Sequence, residues 1–105
     1  MTASGALGPD GTIGILGGGQ LGRMLALAAA RLGLKCHVYS PDPQSPAFDV
    51  VRRASHGDYR DESALDSFAG DVDIVTYEFE NVPAETARFL QEQHAVHVTE
   101  VRDEE

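Results

Sequence analysis

Gly17-Gly-Gly-Gln-Leu-Gly22 satisfies the spacing G-x-G-x-x-G, and the chemistry of that spacing is the reception of an anion. Glycine reaches positive φ and has no Cβ, so a backbone built from it turns sharply and lets a ligand come close. With a strand before it and a helix after it, the unpaired N–H groups at the helix start and the positive end of the helix dipole point at a phosphate. Gly18, Gly19, Gln20, Leu21 and Gly22 are the candidate phosphate contacts. The competing reading is that these glycines only let the helix pack tightly on its sheet and bind nothing. Arg23 either reaches the same anion from the first helical turn or lies solvated on the outer face.

A second group of polar side chains sits in Tyr77-Glu-Phe-Glu-Asn-Val-Pro83. In extended backbone, alternate positions point the same way, which aims Glu78 and Glu80 together and turns Phe79 to the other side. A carboxylate accepts hydrogen bonds and repels phosphate, so its partner on a phosphorylated ligand is an amine or a sugar hydroxyl. The two groups together describe a site for a phosphorylated sugar that carries an amino group. Alternatively, one glutamate favours the dipole of a helix opened by Pro83 and the other is solvated, with Asn81 as the N-cap in either case.

Both groups need strands that end on one edge of a sheet. Residues 12–16 form an apolar run that ends in glycines and reads as a buried strand. Leu21, Met24, Leu25, Ala28 and Leu32 then fall at i, i+3, i+4, i+7 and i+11, which predicts a helix with that face to the core, stopped by Gly33. A second strand is expected over residues 34–39, followed by a loop that Pro41, Pro43 and Pro46 keep irregular. Residues 47–51 read as a helical turn, and 51–55 as a weak strand or the approach to one. Residues 61–68 predict an amphipathic helix with Leu65 and Phe68 inward, ended by Gly70. A strand at 73–77, a helix from Pro83 to about residue 93 and a short strand at 95–98 complete the pattern. Alternation of this kind implies right-handed crossovers and a three-layer, Rossmann-like α/β domain with a mainly parallel sheet of four to five strands. In such sheets ligands gather at the carboxyl ends of the strands, so the turns after Leu16, Tyr39 and Tyr77 share one edge.

The 105 residues support one domain. Eight Lys and Arg against seventeen Asp and Glu give a formal charge of −9, which opposes attraction to nucleic acid or to anionic membranes. Residues 12–41 nevertheless contain no acid and carry Arg23, Arg31 and Lys35, so one stretch is hospitable to an anion. Cys36 is alone, which leaves no intramolecular disulfide and points to the cytoplasm. Residues 1–11 read as a flexible start without the basic and apolar regions of a signal peptide, and 99–105 as an acidic tail. His37, His56, His94 and His97 form no metal set by spacing and read as structural or surface residues, and no Ser-His-Asp arrangement is legible. Asp42 stands where a dinucleotide site places an acid, but between Pro41 and Pro43 it reads as a turn former.

Ile13-Gly-Ile-Leu-Gly-Gly-Gly-Gln-Leu-Gly-Arg-Met24, Val38-Tyr-Ser-Pro-Asp42 and Asp73-Ile-Val-Thr-Tyr-Glu-Phe-Glu-Asn-Val-Pro83 together resemble the start of the 5-(carboxyamino)imidazole ribonucleotide synthases, ATP-grasp ligases of purine biosynthesis. The resemblance spans about residues 12–90. It implies a pre-ATP-grasp domain over 12–98 of a cytoplasmic ligase. That ligase uses ATP and bicarbonate to carboxylate the amine of 5-aminoimidazole ribonucleotide, through carboxyphosphate, on the way to IMP. It also implies magnesium and a homodimer. Carried over, the span from Gly18 to Gly22 would hold the substrate phosphate, and Glu78 or Glu80 would contact the sugar or amine. The family's ATP-grasp domains, with their ATP and magnesium contacts, are missing from these residues. The chain alone is therefore expected to bind no cofactor, to supply no catalytic residue and to be inactive, with aminoimidazole ribonucleotide and the missing domains as its partners. Two other readings stand beside this one: a nicotinamide-dinucleotide domain of an oxidoreductase, and a non-catalytic interaction domain.

Overall fold

The computed structural model describes residues 11–78, 82–94 and 97–101. Its elements are β1 (Thr12–Leu16), α1 (Gln20–Arg31), β2 (Lys35–Ser40), a 3₁₀ turn (Pro46–Val50), β3 (Arg53–His56), α2 (Glu62–Ala69), β4 (Ile74–Glu78), α3 (Ala84–His94) and β5 (His97–Val101). The five strands form one sheet in the order β3-β2-β1-β4-β5, and every neighbouring pair is parallel. The last strand reaches Val101, past the expected end at residue 98.

Alternation along the strands feeds two cores. Leu16, Tyr39 and Val75 pack with Leu65, Phe68 and Ala69 of α2 and Leu90 of α3 on one face. Ile15, Cys36 and Val38 pack with Ala26 and Ala29 of α1 and with Ala47 on the other. These are the three layers the alternating pattern predicted. Local chemistry sets the helix ends as well. Asp61 caps α2 by accepting the Ala64 N–H at 3.2 Å. Gly33, at φ +80°, closes α1 in a Schellman motif, with Leu34 N–H bonded to the Ala29 carbonyl and Gly33 N–H to that of Ala30.

The face of α1 differs from expectation. Its buried residues are Gly22, Ala26 and Ala29, whereas Met24 is 64% and Leu32 76% exposed, with Leu27 and Ala28 also outward. The small side chains let α1 lie close to β2 and the 3₁₀ turn, which large ones would hold off. The helix has two apolar stripes, and weighting by side-chain size selects the outer one.

At the amino edge of the sheet, Asp71 accepts hydrogen bonds from Arg53 and from His37 Nδ1, the latter at 2.8 Å. His37 Nε2 lies 2.6 Å from the Ser55 hydroxyl. Burial alone would raise the Asp71 pKa, but the hydrogen bonds from Arg53 and His37 outweigh it and hold the carboxyl below its usual range. A carboxyl whose folded pKa is depressed stabilises the fold above its unfolded pKa of about 3.9, and that contribution fades as the pH falls through the folded value. Asp71→Asn is accordingly expected to lower stability at pH 7 and to lose that difference in acid, as read by urea unfolding at both pH values.

Candidate functional site

The turn between β1 and α1 gives each glycine a different task. Gly17 sits at φ +108° and donates its N–H to the Tyr39 carbonyl at 2.8 Å. A Cβ on Gly22 would stand 2.4 Å from the Gly17 carbonyl oxygen, so the first helical turn rests directly on the loop. A Cβ on Gly18 would stand 2.4 Å from that of Ser45, and the Gly18 carbonyl accepts the Ala47 N–H at 2.9 Å. The loop after β2 is thereby fastened over the turn. The packing reading accounts for these three. It does not account for Gly19, whose φ of −77° suits any residue and whose Cβ would meet nothing within 4 Å.

Gly19 is also the N-cap of α1, and no side chain caps the helix. The first helical hydrogen bond runs from Arg23 N–H to the Gly19 carbonyl at 2.9 Å, so the N–H groups of Gln20, Leu21 and Gly22 precede the ladder. Leu21 and Gly22 line a cleft of about 430 Å³ at the carboxyl edge of the sheet, whereas Gln20 is not among its lining residues. The cleft lies where β1 is flanked by β2 and β4 and the strand order reverses, the position at which doubly wound sheets hold ligands. Gly17, Gly18, Gly19, Leu21 and Gly22 form one wall, Ser40 to Asp42 a second, and Tyr59 and Tyr77 a third. Among the described lining residues there is no Lys or Arg, and Arg23 is exposed and outside the cleft. An anion placed here would face backbone N–H groups and hydroxyls, with Asp42 as the one carboxylate among the described lining residues.

Asp42 is the turn former its prolines suggested. Its Oδ1 accepts the Gln44 N–H at 2.9 Å, and the Ser45 hydroxyl lies 2.7 Å from the Asp42 carbonyl and 2.8 Å from the Ser40 hydroxyl. At the end of β2, where a dinucleotide's ribose would be held, the Asp42 carboxylate is engaged in this turn, and residues 40–42 line the cleft. Glu78 is the last residue of β4, on the same edge as the glycine turn. Glu80, Phe79 and Asn81 lie outside the described residues.

Three features were not legible beforehand. Tyr59, in the loop between β3 and α2, reaches the cleft only through folding. The Ser55–His37–Asp71 chain joins residues as far apart as 34 positions, a separation at which no such arrangement was legible. It ties β2, β3 and the turn before β4 together, and the cleft beside Asp71 includes neither Ser55 nor His37. His94, for which spacing offered no carboxylate, meets Asp66 at 2.6 Å across α2 and α3. Among the described residues no group of three or more His, Cys, Asp or Glu side chains could hold a metal ion. No helix among the described residues is long and apolar enough to cross a membrane.

The chain is similar to known proteins over most of its length. The family described as Ribonucleotide synthetase preATP-grasp domain matches residues 11–101. The N5-carboxyaminoimidazole ribonucleotide synthase of Brucella melitensis is 49% identical over 87 residues, covering 83% of this chain and 24% of that protein. The N5-carboxyaminoimidazole ribonucleotide synthetase of Thermus thermophilus superposes with a TM-score of 0.75 at 50% identity, over 82% of this chain and 23% of its own. The synthase of Aspergillus clavatus, solved in complex with ADP and 5-aminoimidazole ribonucleotide, gives a TM-score of 0.69 at 33% identity, over 86% of this chain and 24% of its own. The chain thus spans about a quarter of the length of each of these proteins.

Proposed function

We propose a function from one premise, that the chain belongs to the ribonucleotide synthetase preATP-grasp domain family: it is the substrate-binding portion of a carbon–nitrogen ligase that carboxylates 5-aminoimidazole ribonucleotide with bicarbonate and ATP in purine biosynthesis. The backbone from Gly18 to Gly22 receives the substrate phosphate, and Glu78 or Glu80 meets the sugar or the amine. The ATP-grasp region, the ATP and magnesium it holds, and a homodimeric assembly belong to the longer protein. The lone Cys36 supports a cytoplasmic address.

One observation carries the reading. Gly19 leaves the start of α1 uncapped and its own Cβ position empty, although neither backbone strain nor a neighbouring atom requires glycine there. A phosphate seated on the N–H groups of Gln20, Leu21 and Gly22 supplies both the missing cap and the reason for the space. The engagement of the Asp42 carboxylate in its own turn disfavours the dinucleotide alternative. Calorimetric titration of the chain with 5-aminoimidazole ribonucleotide and with NAD is expected to give heat for the ribonucleotide only. Micromolar binding of NAD with no response to the ribonucleotide would overturn the reading, and silence toward both would favour a non-catalytic interaction domain.

A further inference from the structure

We infer that Ser40 is a specificity residue of this cleft: when an anion arrives, its hydroxyl proton turns from Ser45 to the phosphate received by the glycine turn, and the Ser45 proton turns to Ser40 in exchange. The inference rests on the function proposed above. The cleft has no lysine or arginine among its described lining residues, so donors beyond the backbone are hydroxyls. Tyr59 and Tyr77 have contacts of their own, which leaves Ser40 among the described hydroxyls of the lining. Ser40 is 4% exposed and stands against the turn, since a Cβ on Gly18 would meet the Ser40 Cβ at 3.2 Å and the Ser45 hydroxyl oxygen at 2.5 Å.

Two proton arrangements fit the same heavy atoms. Ser45 Oγ lies 2.7 Å from the Asp42 carbonyl and 2.8 Å from Ser40 Oγ, which also accepts the Asp42 N–H at 3.2 Å. In the first arrangement Ser45 donates to the carbonyl and Ser40 donates to Ser45, so neither buried hydroxyl lacks an acceptor. The carbonyl has a second donor, however, in the Ser45 N–H at 3.2 Å, and it keeps that donor when the Ser45 hydroxyl proton turns away. In the second arrangement Ser40 Oγ accepts from both Ser45 and Asp42, and its own proton goes to an acceptor in the cleft. Each hydroxyl then polarises the next, which strengthens donation to a charged oxygen. Both arrangements fasten the loop, so an anion in the cleft is what selects the second.

The backbone around Ser40 is fixed from three sides. Tyr39 is fully buried, its ring stacks on Tyr59 with centroids 6.2 Å apart, and its carbonyl accepts the Gly17 N–H at 2.8 Å. The Ser40 carbonyl accepts the Gly57 N–H at 3.1 Å, and the Pro41 carbonyl accepts from His56 Nε2 at 3.0 Å. The Asp42 carboxylate, the negative group of this wall, has Oδ1 turned to the Gln44 N–H at 2.9 Å. A side chain held in this way loses little freedom when a ligand arrives.

Ser40→Ala removes the donor and leaves the Ser45 proton to the Asp42 carbonyl. Its melting temperature is expected to stay close to that of the unsubstituted chain, while its affinity for 5-aminoimidazole ribonucleotide in calorimetric titration falls about tenfold, as for one hydrogen bond to a charged group. Ser40→Cys keeps a side chain of similar size and exchanges a strong donor for a weak one, so it should lose nearly as much and decides the matter should the alanine variant unfold. The phosphate-free 5-aminoimidazole riboside should show no such difference among the three chains. Equal affinity of the three chains for the ribonucleotide would overturn the inference and leave the proposed function standing. An equal loss for ribonucleotide and riboside would overturn the phosphate contact, and the inference with it. Failure of the unsubstituted chain to bind the ribonucleotide would remove the proposed function and the inference together.

Discussion

Gly19→Asp is expected to raise the melting temperature of this protein and to abolish its binding of the ribonucleotide. The helix it would cap has no side-chain cap, and the position has both the extended backbone of an N-cap and open space for a side chain. An aspartate there accepts the N–H of Leu21 or Gly22 and complements the helix dipole, which contributes about 1 kcal/mol. For a chain of this size that is a rise of roughly 4 °C. The same carboxylate occupies the donors that a phosphate needs and repels it, so affinity should fall by about a hundredfold or more, the loss of two charge-assisted hydrogen bonds. Stability and binding therefore move in opposite directions. A thermal scan and a calorimetric titration of one sample read both, and a less stable variant that still bound ribonucleotide would refute the account of Gly19.

Phe68→Ala is the substitution with the largest expected effect on stability, about 4 kcal/mol. The side chain is fully buried on the inner face of α2. Its ring meets that of His37 edge-on at 5.0 Å and that of Tyr39 at 5.4 Å, so it joins α2 to the sheet at the residue that in turn supports Tyr59. Truncation leaves a cavity among Leu16, Tyr39, Leu65 and Val75, and neighbours fixed in strands cannot collapse into it. A domain stabilised by about 5–15 kcal/mol in total would lose a large part of its margin. Urea unfolding should show a lower midpoint with an unchanged slope, and a drop of less than about 1 kcal/mol would show that the core closes around the gap.

Much of the frame was readable because its signals are local. The strand before Gly17 and the positive-φ glycine after α1 are each set by residues within a few positions of one another. The parallel sheet followed from element alternation, and the glycine turn from its spacing. What could not be read depends on contacts through space. Met24 and Leu32 face outward because Ala26 and Ala29 are small enough to let α1 approach the sheet, a fact of packing that periodicity does not contain. His94 finds Asp66 across 28 positions. Tyr59 comes to the glycine turn only once β3 lies beside β2 and the loop after it is fixed by Thr86 and Asp58.

Among the described strands, the first in sequence is the one that waits longest for its neighbours. β1 occupies the middle of the sheet, yet it pairs with β2 from residue 35 onward and with β4 from residue 74 onward. The carboxylate of Asp73 accepts the N–H of Thr12 from 61 positions away. As the polypeptide leaves the ribosome, β1 therefore stays unpaired on one side until β4 has emerged. Distant pairings of this kind slow the search for the native state, so for this protein the order of synthesis runs against the order of assembly.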